Sequence, residues 1–420
     1  MWRFRYKEYL IELKQPKTYV IIVVFFVCFF SSISLWGQTE TSVDILQVLR
    51  NEGFEDIKAK LSADTLFASI ENRAYRGTFR GAATAIKRIA EVQPDINQFE
   101  LILTDYKMPQ LIVHASKRGG LWDVRVDREM SSAMRILREE KPEARSAGKI
   151  DITVYPMVSL TNNKLDHLFD YAVRIAPAFA TTMWKGARLT VQPVFPIVYQ
   201  LDSWDSKRRI QIGNANISQQ IISNQYVFAS AAAGFFFPER VGVQAMAGVH
   251  IGRNLDIYVD GGITYKANNT PQSGFGFVRN SRHINGMICA DYYEAYTKLQ
   301  IELKGGRFLY GDYGGRLDVT RHFGEYAIGV YGILTGGEHN AGFHFAIPLG
   351  GKRQKRNGFV RLRLPEYYAL EYSMTSWFKY WFEHMGESYV TQPDQNHAAH
   401  YWEPRFVEEY VQRILNGSFQ

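Results

Sequence analysis

The stretch "GRFLYGDYGGRLDVTRHFGEYAIGVYGIL", residues 306–334, combines glycines, aromatic residues and charges with regularly alternating aliphatic residues. Leu317 and Val319 occupy odd positions, while Arg316 and Asp318 occupy the even positions beside them. This two-residue period is typical of a β-strand with two unlike faces. In a soluble sandwich the apolar face would be the core, whereas in a membrane barrel it would face lipid and the polar face would line the lumen.

The same alternation recurs along residues 149–373. In "RVGVQAMAGVHIG" the odd positions from 241 to 251 are all apolar, and the even ones include Arg240, Gln244 and His250. Each such run lasts about ten residues, which is enough for a tilted strand to cross a bilayer. We therefore predict a mainly β protein with an antiparallel outer-membrane β-barrel of about 12 strands.

The N-terminus carries a predicted export signal. An apolar run at 19–30 follows a basic stretch and precedes small and polar residues up to Gly37. This order predicts a signal peptide, residues 1–37, cleaved near Gly37. An uncleaved anchor is the alternative, because residues 19–36 are just long enough to cross a bilayer. The basic residues are Arg3, Arg5, Lys7, Lys14 and Lys17.

Composition excludes two classes of protein. With 46% hydrophobic and 22% charged residues, the chain of 420 residues is not a disordered protein. Its formal charge of +7 falls to about +4 without the predicted signal peptide, which is too small to indicate a nucleic-acid partner. Cys289 is the only cysteine after the signal peptide, so no internal disulfide can form. A large exported β-protein without disulfides is typical of an outer-membrane barrel.

Four further segments are predicted along the chain. Helical and strand periodicity indicates a small periplasmic α/β domain over residues 38–117. Residues 118–148 are charged and irregular, which predicts a connector with one polar helix. Residues 149–373 would form the barrel. Residues 374–420 would form an aromatic, partly helical tail.

The chain resembles the YjbH-type family of outer-membrane proteins, also called GfcD-like, which takes part in exopolysaccharide export. A G-R-x-L-x-G-D-x-G-x-x-L-x-x-x-R-x-F stretch, "GFHFAIPLGG" and "RGAATAIKRIAEVQPDINQFELIL" carry the resemblance. Long members of the family carry duplicated barrel regions, whereas this chain has room for one. The family-like motif residues are Gly306, Arg307, Gly311, Asp312, Gly314, Leu317, Arg321 and Phe323.

The resemblance implies a non-enzymatic barrel that takes part in secretion or assembly of a capsule or exopolysaccharide, without a cofactor. The implied partners are outer-membrane lipid, the polysaccharide, and periplasmic or lipoprotein components of an export system. Two other functions stay open: an outer-membrane enzyme acting on lipid or glycan, and a barrel that scaffolds surface adhesion.

A basic run between two predicted strands, "GGKRQKRNGFVRLR", is the candidate binding site. One interpretation is a solvated hairpin turn. The other is a contact for anionic glycan or lipid phosphate, for which arginine offers bidentate hydrogen bonds. The cations of the run are Lys352, Arg353, Lys355, Arg356, Arg361 and Arg363.

Histidine pairs give weaker indications of chemistry. His397 and His400 lie beside Asp394 but lack further ligands at metal-site spacing, so we predict no metal site. His339 and His344 could be drawn into a hydrolytic set, but no G-x-S-x-G is present to supply the nucleophile.

Overall fold

The computed structural model describes residues 40–161, 170–200, 209–373, 384–394 and 402–418. Within these ranges the chain is mainly β and forms two sheets, of 5 and 15 strands. The predicted signal peptide, most of the aromatic stretch 374–385 and the pair His397 and His400 lie outside the described residues. Among the helices that are described, none is both long and apolar enough to span a bilayer.

The smaller sheet belongs to an N-terminal α/β unit, residues 40–137. Its strand order is β1-β2-β3-β4-β5; β2 and β3 are parallel, and the other neighbours are antiparallel. A helix crosses over between the two parallel strands, as a parallel connection requires. The elements are α1 (Glu40–Glu52), β1 (Glu55–Ser62), β2 (Thr65–Glu71), α2 (Thr78–Val92), β3 (Gln98–Asp105), β4 (Met108–Arg118), β5 (Leu121–Asp127) and α3 (Ser131–Ile136).

The helices of this unit form where the sequence predicts them. On α1, Ile45 and Leu49 recur at helical spacing and are buried, as are Phe79 and Ile86 on α2. Burying these apolar stripes against the sheet stabilises the unit, because each large apolar side chain contributes about 2 kcal/mol when removed from water. A small α/β unit is therefore present, although it extends past the predicted boundary at residue 117.

The expected connector from residue 118 was wrong for its first part. Residues 121–127 form β5, which pairs with β4 and completes the five-stranded sheet. Trp122, Val124 and Val126 alternate with polar residues and are buried on one face. The many charged residues nearby obscured this short alternation, which is a strand signal in its own right.

The large sheet is an antiparallel meander, and its order is β19-β6-β7-β8-β9-β10-β11-β12-β14-β15-β16-β17-β18-β20, with β13 paired to β12. Its strands are β6 (Ile150–Thr161), β7 (Asp170–Thr182), β8 (Ala187–Gln200), β9 (Gln211–Ser223), β10 (Val227–Phe236), β11 (Arg240–Ile251), β12 (Leu255–Thr270), β13 (Gly274–Phe277), β14 (His283–Glu294), β15 (Leu299–Arg307), β16 (Tyr313–Phe323), β17 (Tyr326–Thr335), β18 (Glu338–Pro348), β19 (Val360–Arg363) and β20 (Tyr367–Ser373).

One short stretch of chain supplies both edge strands of the large sheet, β19 and β20. β19 pairs in parallel with β6, and β20, three residues later, pairs with β18 at the opposite edge. Ladder pairing between β19 and β6 covers only the residues from Val360 to Arg363. Among the described residues the strands do not complete a hydrogen-bonded ring, so the large antiparallel sheet is confirmed and its closure into a barrel is not shown.

The strand count exceeds the dozen expected from the sequence. Most of the aromatic stretch "PEYYALEYS" forms the last strand, β20. β13 was missed because it has only four residues, Gly274–Phe277. Short strands carry too few alternating positions to be recognised by periodicity.

The large sheet has its polarity reversed relative to a soluble sandwich. On β17, Ile328, Val330 and Leu334 are 55%, 60% and 60% exposed. On the other face of the neighbouring β16, Thr320 and His322 are 5% and 0% exposed. On these strands the exposed face is therefore mainly apolar, whereas the shielded face carries polar side chains together with buried apolar ones such as Ile333.

A C-terminal helix completes the α/β unit. Helix α4 (Pro404–Leu415) lies in the tail that was predicted to be partly helical, residues 374–420. Its apolar stripe contacts α2, where the Phe79 and Phe406 rings meet edge to face at 5.6 Å between centroids. Val407, Tyr410 and Val411 are buried in the same core. The two ends of the described chain thus share one core.

Candidate functional site: the shielded face of the large sheet

Residues 384–394, which we call the inner segment, lie along the shielded face of the large sheet. At one end, the backbone N–H of Gly386 donates to Asp312 Oδ2 at 2.8 Å, in the connection between β15 and β16. At the other end, the Tyr155 hydroxyl of β6 donates to the Asp394 carboxylate. The inner segment therefore reaches from the β15–β16 connection to the edge strand β6.

Tyr389 fixes the middle of the inner segment. Its ring stacks on Phe236 at 5.4 Å, and its hydroxyl donates to Asn285 Oδ1 at 3.1 Å. A Cβ on Gly262 would overlap this hydroxyl, so the close approach requires glycine at that position. Because strands from β6 to β14 contact one short segment, the sheet curls around it with its polar face inward.

The α/β unit covers one end of the curled sheet. The turns at this end, such as 183–186, 252–254 and 324–325, contain two to four residues. Glu325 in the last of these turns pairs with Arg76 of the unit at 2.6 Å. We call this the short-turn end; the opposite end carries longer connections, including residues 271–282.

Three neighbouring cavities lie between the α/β unit and the sheet, and the inner segment lines the second and third of them. Their volumes are about 310, 410 and 250 Å³. Asp105 lines all three, and Tyr106 and Arg188 line the second and third. The first is lined mainly by amides, hydroxyls and charges of both signs, with Trp402 at its wall. Such walls suit a ligand with many hydroxyl groups.

Arg73, which lines the third cavity, organises the charges beside it. Its guanidinium lies 2.8 Å from Glu71 and 2.9 Å from Asp105, and it stacks over the Tyr106 ring at 3.9 Å. Burial, reinforced by the Asp105 and Asp56 carboxylates, raises the pKa of Glu71 to about 7 despite its contact with Arg73. This carboxyl therefore titrates near neutral pH.

A second carboxyl with a raised pKa lines the first cavity. Burial raises the pKa of Glu403 to about 7, although the Phe406 backbone N–H and the Arg128 charge act in the opposite direction. The N–H of Phe406 donates to Glu403 Oε2 at 2.5 Å, which caps helix α4. No sequence pattern indicates the raised pKa of either carboxyl, because only the tertiary fold buries them.

The basic run joins the α/β unit to the large sheet. Arg356 contacts Glu55 of β1 at 2.6 Å and Asp151 of β6 at 2.7 Å. Arg361 is 2% exposed and contacts the same Asp151 at 2.9 Å. The interpretation as a solvated turn is therefore wrong for Arg356 and Arg361, because their guanidinium groups are enclosed with carboxylates.

The other cations of the run differ in exposure. Arg353 pairs with Glu52 at 2.8 Å, and Arg363 lies 3.6 Å from Glu366. Lys352 and Lys355 are exposed beside them. A glycan or phosphate contact stays a prediction, and the two lysines are the cations of the run best placed for it.

The family-like motif spans the strand that anchors the inner segment. Asp312 binds Gly386 as described, and it also accepts a hydrogen bond from Thr335 Oγ1 at 2.5 Å. A Cβ on Gly306 or Gly314 would overlap a carbonyl oxygen of the neighbouring strand. Arg307 ends β15 and Gly311 forms the turn at φ 101°. Leu317, Arg321 and Phe323 lie on the exposed face.

His339 and His344 lie on opposite faces of β18. His339 is exposed, whereas His344 is buried on the other face of β18 with its Nε2 3.3 Å from Thr320 Oγ1. Within the described ranges, no cluster of three or more His, Cys, Asp or Glu side chains is placed to hold a metal ion.

Comparison with family models, with curated proteins and with solved structures found no match for this chain. The family suggested by the sequence patterns therefore stays a prediction, and functional inference rests on the contacts described above.

Proposed function

We propose that the protein is an outer-membrane β-barrel that takes part in secretion or assembly of an extracellular polysaccharide. In this proposal the large sheet lies in the bilayer, its shielded face lines the lumen, and the α/β unit faces the periplasm. The observation that carries the proposal is the reversed polarity of the large sheet, with apolar side chains outward and polar side chains inward.

The exposed apolar face supports a lipid environment. Side chains such as Ile288, Val330 and Leu334 are 66%, 60% and 60% exposed. Each square ångström of apolar surface left in water costs about 25 cal/mol, and this cost accumulates over the strands of the sheet. Lipid removes the cost, while the polar inner face keeps its hydrogen bonds within the protein.

The arrangement of turns supports the orientation. Bacterial barrels place short turns on the periplasmic side and longer loops outside. The α/β unit covers the short-turn end of this sheet, where Arg76 and Glu325 join the two. A periplasmic α/β unit is consistent with this rule.

The cavity walls support a carbohydrate ligand. Gln110, Gln220 and Gln300 offer amides that both donate and accept, as the hydroxyl groups of a sugar require. Trp402 and Tyr293 add aromatic surface for the apolar faces of sugar rings. The resemblance to exopolysaccharide export proteins points to the same ligand class.

The proposal has a direct test in cells that make the protein. The full chain is expected to fractionate with outer membranes and to migrate faster on a gel when unheated than when boiled. Val330→Lys on the exposed face should impair insertion by about 2–4 kcal/mol, whereas Lys352→Gln, outside the strands, should not. A soluble, heat-insensitive protein would refute the membrane location; unchanged polymer output after gene deletion would refute the export role.

A further inference from the structure

The edge strands β6 and β20 approach each other without a continuous ladder. Cα atoms of the two strands come within 8 Å. Ladder pairing at this junction is confined to β19, whose residues pair with Ile150–Thr153. Beyond that point, no ladder between β6 and β20 is present among the described residues. We call the gap between residues 154–159 of β6 and β20 the seam.

Two prolines explain why the ladder between β6 and the chain that follows β19 stops after Arg363. Continuing the register that places Arg363 beside Thr153 would bring Pro365 opposite Tyr155, next to Pro156. Proline has no backbone N–H, so neither proline can donate to a ladder here. The sequence of both edges therefore keeps the seam open.

A cavity of about 260 Å³ lies at the seam. On β6 it is lined by Tyr155, whose side chain contacts the inner segment, and by Val158, which alternates to the opposite face. On β20 it is lined by Glu371, which pairs with the inward Arg316, and by Leu370 on the opposite face. Residues from both faces of both strands therefore line one cavity at the seam.

The two sides of this cavity differ in chemistry. The inner side contains Gln192 and Asn214, which are 4% and 1% exposed. Asn214 Nδ2 donates to Gln192 Oε1 at 3.2 Å, while Asn214 Oδ1 accepts no hydrogen bond from any residue that the structure describes. A buried acceptor of this kind suits a ligand hydroxyl. The outer side is formed by Pro156, Val158 and Leu370.

We propose that the seam binds an amphipathic membrane lipid. Its polar head group lies inside the sheet against Asn214 and Gln192, and its hydrocarbon chain lies outside along Val158 and Leu370. The inference rests on the proposed membrane location, since a bilayer supplies the lipid. It goes further by assigning a lateral route between the membrane and the interior of the sheet.

Photocrosslinking at three positions tests the seam. p-Benzoylphenylalanine is introduced in place of Met157, Met246 or Val330 in the full chain, which is reconstituted into vesicles of radiolabelled phosphatidylethanolamine and phosphatidylglycerol. Met157 lines the inner side of the seam, Met246 lines the interior on β11, and Val330 is on the exposed face. Val330 and Met157 should label with lipid, and Met246 should show only background.

The outcomes separate the seam from the membrane location. Absence of label at Val330 would refute the membrane location and, with it, the lipid site. Label at Val330 with only background at Met157 would overturn the seam alone, as would equal label at Met157 and Met246. Asn214→Leu should reduce the lipid label at position 157 and leave the label at position 330 unchanged. If the label at position 157 does not change, Asn214 does not contact the lipid head group.

Discussion

Arg76 of the α/β unit and Glu325 of the β16–β17 turn form a two-point ion pair, with Nε–Oε1 at 2.6 Å and Nη2–Oε2 at 2.9 Å. Arg80 donates to the same two oxygens at 3.0 and 2.9 Å. Burial alone would raise the pKa of Glu325, but hydrogen bonds from the two arginines outweigh it and lower that pKa. The α/β unit is thus held to the sheet by an ionised, enclosed carboxylate.

Replacing Glu325 by Gln should destabilise the folded protein by about 3 kcal/mol, because Arg76 and Arg80 lose their enclosed counter-charge. The wild-type contribution is complete above the unfolded carboxyl pKa and is lost as pH falls through the lowered folded pKa. Urea unfolding followed by circular dichroism between about pH 7 and pH 3 measures both effects. Glu139→Gln, at an exposed carboxyl, is the control; an equal loss in both variants would contradict the prediction.

Helix α4 should contribute a large share of the stability of the α/β unit. Phe406→Ala removes a fully buried ring that contacts Phe79, so we expect a loss of about 3–5 kcal/mol. Arg405→Ala, one residue away on the exposed face, should change stability by less than about 0.5 kcal/mol. Thermal unfolding of the full chain compares the two; a Phe406 variant as stable as the Arg405 variant would show that α4 is not part of this core.

Gly262→Ala should release the inner segment, since the added Cβ would overlap the Tyr389 hydroxyl. Hydrogen exchange in residues 384–394 should then become faster than in the wild type. Gly286→Ala is a matched control, because nothing lies within 4 Å of a Cβ at that glycine. Slow exchange retained in the Gly262 variant would mean that Tyr389 does not hold the segment.

The basic run should divide into two kinds of position. The double variant Lys352→Gln, Lys355→Gln should leave stability unchanged and weaken the binding of an acidic polysaccharide. The difference in affinity from the wild type should shrink at high salt, because exposed charges are screened over about 10 Å at 0.1 M ionic strength. Arg356→Gln should instead lower stability, since it removes the cation that Glu55 and Asp151 share and leaves them only Lys149 and Arg361, respectively. Binding by calorimetry and unfolding by denaturant distinguish the two; binding unchanged in the double lysine variant would exclude a glycan contact there.

Local patterns predicted much of the fold but little of its interior. The alternation around Val330 and Leu317 indicates strands and their two faces directly, because side chains alternate with a period of two. The contacts that define the interior are not local: Arg76 and Glu325 are 249 residues apart, and Tyr389 meets Asn285 across 104 residues. No periodicity encodes such pairs, so the inner segment and its cavities could not be foreseen.

The path of the inner segment constrains the order in which the molecule is assembled. Residues 384–394 follow every strand of the large sheet in the chain, yet they lie on its inner face. Tyr389 contacts Gly262 of β12 and Asn285 of β14, and these two residues are partners in one ladder. The inner segment can therefore dock only after β12 and β14 have paired.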